Sequence, residues 1–257
     1  MISIVKGTPG RWAGLARAVS ALGIAVALIP AAAPGAAAEL RRYTDTQRPL
    51  KQRQAEIEEL GARGDAESVR TLMALGSSDA YVKVKAIESL GGIGGGDGGL
   101  AKSRKAGIDV AEYLRDKLDH PEPGVVCAAI QSLVRVEGTH ALGDVEEFLD
   151  RNRERVDGFQ SVVLPVAVRA LAEIDDPRSV GLLQREIEEV VKPMQEFEYG
   201  SDIVRALEAL HRSEGRSVLT SYASWLQTQM PSGNPMVEEY IRAKRKEALE
   251  AAERIST

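Results

Sequence analysis

A small residue followed four positions later by leucine recurs four times along this chain. The pairs are Ala86 and Leu90, Ala129 and Leu133, Ala167 and Leu171, and Ala206 and Leu210. Three positions past the leucine stand Ile93, Val136 and Ile174, with Ser213 as the exception. Steps of four and three return a side chain to one face of a helix. The leucines lie 43, 38 and 39 residues apart. A helical period of about 40 residues is the mark of a solenoid, in which each unit buries its apolar face only against its neighbours. Each unit also has an amphipathic segment upstream, at 67–76, 110–118, 141–156, 179–191 and 217–230. Turn residues precede most of these: Gly64-Asp65, Gly138-Thr139, Asp175-Asp176-Pro177 and Glu214-Gly215. Glycine ends a helix at no Cβ cost, and proline suits the first turn of the next. Alternating β-branched runs are nearly absent. The spacing predicts an all-α chain, an α-solenoid of about five stacked antiparallel helix hairpins.

These segments resemble the HEAT repeat family, in the bacterial form also described as lyase-like HEAT repeats. The best match is AESVRTLMALGSSDAYVKVKAIESLGGIG, residues 66–94. It has Asp79 in the turn, then Val82-Lys83, Ala86 and Leu90, where the family favours Asp, Val-Arg, Ala and Leu. Residues 118–133 keep the turn chemistry with Val126 at the arginine position, and 175–187 match a first helix. Leu164 and Ile203 replace the arginine in later units, and Pro165 interrupts one of them. The resemblance spans about residues 47–230. It implies curved hairpin stacks that bind a partner along the concave face, and it names no activity.

Residues 39–64 are expected to form an N-terminal cap segment, with Leu50, Ile57 and Leu60 inward. The repeats follow over 65–233, and a charged C-terminal cap helix over 234–257. One junction breaks the period: residues 91–107 hold eight glycines. A flexible linker at 94–107 is expected from that composition. The same run satisfies GxGxxG and nearly a P-loop, but both motifs need a preceding strand, and here a helix precedes.

Residues 1–38 differ from the rest. They contain no acidic residue, and their only charges are Lys6, Arg11 and Arg17, ahead of an apolar stretch from Ala18 to Ile29. Pro30 and an alanine-rich segment ending Ala36-Ala37-Ala38 follow. A positive start, a short apolar core and an A-x-A end make a secretory signal peptide, with cleavage expected after Ala38 and Ala33 as the alternative site. The apolar core is too short for a membrane span, which needs about 20 residues. Three of the 33 basic residues and none of the 38 acidic ones lie in this leader, so the net charge of −5 becomes −8 for 39–257. The expected product is exported, periplasmic or extracellular, without a stable membrane span after cleavage.

Chemistry-bearing patterns are few. His120, His140 and His211 have no His or Cys at i+3 or i+4, so metal-ligand spacing is missing. Cys127, the single cysteine, has no disulfide partner in the chain, and its neighbours Val125, Val126, Ala128 and Ala129 offer no positive charge to activate it. It is expected to be a small core residue. No GxSxG elbow occurs. No catalytic residue, cofactor or metal site is expected.

The positions two and six after each small residue should face away from the core. They give Glu88, Gln131, Arg169 and Glu208 in one column, and Gly92, Arg135, Glu173 and Arg212 in another. Mixed signs suit a protein or peptide partner, whereas nucleic acid would want a basic stripe. The expectation is an exported scaffold or adaptor without catalysis. The alternatives are a lyase-like accessory enzyme and a purely structural module of an envelope assembly.

Overall fold

The computed structural model describes residues 34–78, 81–93, 99–153, 158–230 and 233–255. The chain divides into two units, 1–38 and 39–257. In the first unit only the opening of α1 (Pro34–Thr44) is described, so the expected signal core lies outside the described residues. No strand occurs among the described residues of the second unit.

That unit is an all-α solenoid. After α2 (Leu50–Arg63) come α3 (Ala66–Gly76) with α4 (Lys83–Gly92), then a short α5 (Gly99–Lys105). Next come α6 (Val110–Asp116) with α7 (Pro123–Glu137), and α8 (Leu142–Asn152) with α9 (Phe159–Ile174). In the fourth hairpin α10 (Arg178–Glu186) and the one-turn α11 (Lys192–Met194) lead to α12 (Phe197–Leu210). The fifth is α13 (Ser213–Gln229) with α14 (Pro235–Arg254). The expected cap helix α14 is thus the second helix of the last hairpin, with Ile241, Ala248, Ala251 and Ala252 buried against α12 and α13.

The recurring Ala and Leu residues are all buried, from Ala86 and Leu90 to Ala206 and Leu210. Turn chemistry starts and stops the helices. Asp65 caps α3 by accepting from the N–H groups of Glu67 (3.1 Å) and Ser68 (2.9 Å). Gly64 closes α2 in the left-handed region, φ 58°. The break before α13 falls at His211, φ 47°, rather than at Gly215, which lies buried inside α13. The glycine-rich segment also departs from a plain linker: α5 occupies 99–105, where Leu100, Ala101, Lys102, Arg104 and Lys105 supply good helix formers after the last glycine of the run. Leu50 is 43% exposed rather than inward, and the aliphatic stem of Arg53 fills the core there. The Arg53 guanidinium donates to the carbonyls of Tyr43 and Arg48, both at 3.2 Å.

The two helix layers are joined differently. Second helices meet through small residues. A Cβ on Gly61 would lie 2.7 Å from the Ser89 carbonyl oxygen, and one on Gly91 would lie 2.9 Å from the Ser132 Cα. The Ser132 hydroxyl donates across this seam to the Ile87 carbonyl at 2.8 Å. First helices touch one another sparsely and are spanned by arginines instead. Arg115 on α6 reaches Asp144 on α8 at 3.0 Å, and Arg185 on α10 reaches Asp150 on α8 at 2.9 Å. A dense layer beside a splayed one makes each hairpin a wedge, so the row α2, α4, α7, α9, α12, α14 forms the inner, concave face.

Candidate binding face

The concave face presents a groove of 540 Å³ where α2, α4 and α7 meet. Its floor is small: Gly61, Ala62, Ser89 and Gly92. Its walls carry Glu58, Lys85, Glu88, Gln131 and Arg135. A smaller groove of 300 Å³ continues past Glu58, Lys85 and Glu88 to Lys51 and Gln54 on α2. The close approach of the second helices creates this hollow, because only residues with little or no side chain fit at the seam.

Charges in the groove are partly spent within the protein. Lys85 bridges Glu58 and lies 3.6 Å from Glu88, and its ammonium pKa is raised by the hydrogen bond it donates to Glu58. Of the predicted face residues, Glu88, Gly92, Gln131 and Arg135 share one groove. Arg169 and Glu173 follow on α9, both exposed. Glu208 on α12 is held by Arg254 of α14, with Nη2 to Oε2 at 3.0 Å, and this contact pulls its carboxyl below the usual range. Arg212 falls outside the column. The helix ends at Leu210, so the periodicity stops before reaching it. Its Nη2 donates instead to the Asp175 carbonyl (2.9 Å) and to Asp175 Oδ1 (2.8 Å), tying two inter-hairpin turns together.

Cys127 is half-buried, packed against the edge of the core where α7 meets this face. Its Sγ lies 4.0 Å from the Val162 carbonyl, and the charge of Arg169 acts on it. Burial nevertheless pushes the thiol up, so it stays protonated at neutral pH and is a poor nucleophile. Val162 beside it is 52% exposed.

Outside this face, the buried carboxylate Glu186 was not among the residues expected from the sequence. Glu186 ends α10 fully buried and accepts from Arg153 (3.0 Å) and from the hydroxyl of buried Tyr199 (3.0 Å). Burial raises its pKa despite the arginine. The signal was present in the spacing. Buried residues fall at 182 and 183, 186 and 187, and 190 and 191, a period of four. Such a period outruns 3.6 residues per turn, and the helix absorbs the difference in a π-turn over Ile187–Val191. Glu186 lies on the inward face of that pattern.

Among the described residues no cluster of three or more His, Cys, Asp or Glu side chains has metal-holding geometry, and no helix is long and apolar enough to cross a membrane. No protein-family model and no curated protein matches the chain. Solved structures to which it is similar include a designed armadillo repeat protein in complex with the peptide (KR)4. That chain has a TM-score of 0.46 and 16% identity, with 83% of this chain and 98% of that one covered. Two engineered proteins are similar at TM-score 0.44, with 17% and 19% identity. They cover 84% and 83% of this chain and 97% and 98% of their own.

Proposed function

We propose that the chain is an exported, non-enzymatic repeat scaffold of the HEAT type that binds a protein or peptide partner along its concave face. The observation that carries this reading is the continuous inner row of second helices with a polar groove open along α2, α4 and α7. Mixed charge along that row, Glu88 and Gln131 through Arg169 to Glu208, favours a polypeptide over nucleic acid. The leader sequence supports export, and a cut after Ala38 falls at the boundary between the two units. The accessory-enzyme reading has Cys127 as its best nucleophile, and burial keeps that thiol protonated.

A photo-activated cross-linker placed at Gln131, compared with one at exposed Gln184 on α10, tests the face. Adducts with a defined envelope protein at position 131 and none at 184 are expected. Adducts at both positions alike, or at 184 alone, would remove the concave face as the interface. N-terminal sequencing of the exported protein should begin at Glu39, and a protein that keeps residues 1–38 refutes the cleavage.

A further inference from the structure

Charge is not spent evenly along the concave face. On α4, Lys83 is bound to Glu122 and Lys85 to Glu58. On α12, Arg205 is paired with Asp202 at 2.7 Å, and Glu208 is paired with Arg254. On α14, Lys244 is paired with Glu198 at 2.9 Å. The two central helices each carry an arginine outside such pairs. Arg135 on α7 and Arg169 on α9 are exposed and bridge no carboxylate among the described residues. The acids that share their surroundings do not satisfy them: Glu58 and Glu88 are engaged by Lys85, and Glu173, one turn beyond Arg169, forms no bridge to it. Beside Arg169 lies a small apolar shelf made by exposed Val162, part-buried Pro165 and half-buried Cys127.

Resting on the concave-face reading above, we propose that α7 and α9 receive an acidic segment of the protein partner. Its carboxylates meet Arg135 and Arg169, and an aliphatic side chain lies on Val162 and Cys127. Guanidinium groups bind carboxylates in paired hydrogen bonds, and neither arginine must first break an internal bridge to do so. The neighbouring sections of the face hold internal ion pairs at Lys85, Arg205 and Lys244, while Lys51 on α2 and Arg242 on α14 are exposed and, like the two central arginines, bridge no carboxylate among the described residues. Glu58, Glu88, Glu173 and Glu208 around this centre disfavour a long polyphosphate chain, which carries charge at every step.

Fluorescence anisotropy on the full chain tests this with three labelled probes: a short peptide alternating Glu and Val, its Lys and Val counterpart, and an oligothymidylate. The Glu-Val peptide should bind saturably, more weakly as salt rises, and about tenfold or more tighter than the Lys-Val peptide. Arg135→Glu with Arg169→Glu should weaken it about tenfold or more, while Arg135→Lys with Arg169→Lys should cost only a few-fold. Both arginines are exposed, so circular dichroism should show all variants folded. Equal affinity for the two peptides, indifference to the double reversal, or tighter binding of the oligothymidylate would overturn the proposal. A Gln131 cross-link that survives the double reversal, without Glu-Val binding, would overturn the acidic chemistry alone and leave the concave face as the interface.

Discussion

Two carboxylates at different points of the solenoid are each clasped by arginine, and they are displaced in opposite directions. Glu56 on α2 receives Arg42 of α1 at 3.0 Å and two nitrogens of Arg48 in the turn between α1 and α2. Those donors pull its pKa down to about 2. Glu186, between α8, α10 and α12, receives Arg153 and Tyr199 in the interior, and its pKa is raised. Glu56 faces two guanidinium groups, Glu186 one guanidinium and a neutral phenol. At Glu186 desolvation outweighs its single arginine, whereas at Glu56 the hydrogen bonds and charge of two arginines outweigh a smaller desolvation.

The sharpest way to break this comparison is to remove the interior arginine. Arg153→Ala should cost about 3–5 kcal/mol in urea unfolding, because it strands a buried carboxylate. Leu133→Ala, a fully buried residue, should cost ~2–5 kcal/mol and sets the scale of ordinary core loss. An Arg153→Ala loss well below that of Leu133→Ala would mean that burial does not govern the Glu186 site. Adding Glu186→Gln to Arg153→Ala should recover most of the loss, since no charge is then stranded.

The pH dependence separates the two sites by sign. A carboxyl whose folded pKa is raised stabilises the fold below its ordinary value, and that contribution disappears as pH rises through the folded value. Wild-type stability from Glu186 should therefore fall as pH rises above the ordinary carboxylate range, and Glu186→Gln should flatten that slope. Glu56 acts the other way. Its contribution is present above the ordinary range and lost as pH falls toward about 2. Stability profiles with the same slope at both sites would refute the contrast. The smallest effect is expected for Arg48→Ala, where Arg42 remains and water replaces the lost donor, so only the acid limb of the profile should shift.

Much of the fold was legible in the sequence because helical faces are set locally. Ala129 and Leu133 share a face by their spacing alone, and both are buried. Pairing of first with second helices followed from the period of about 40. The face residues were less legible. Arg212 follows the periodic rule in sequence, but a left-handed residue at His211 ends the helix before the rule can act. The groove itself depended on Gly61 and Gly91, whose meaning appears only when Ser89 and Ser132 come within contact distance.

Cys127 shows the same division. Its sequence neighbours are all apolar, which pointed to the core, yet α9 brings Arg169 and Val162 beside it from 35 or more residues away. The amino-acid order determined the helices, their apolar faces and the repeat, because these depend on contacts three and four residues apart. Tertiary structure decided which charges are spent and which stay open, which carboxylate is buried, and where the concave hollow lies. Those outcomes depend on distances between helices about 40 residues apart in the chain, which no local periodicity encodes.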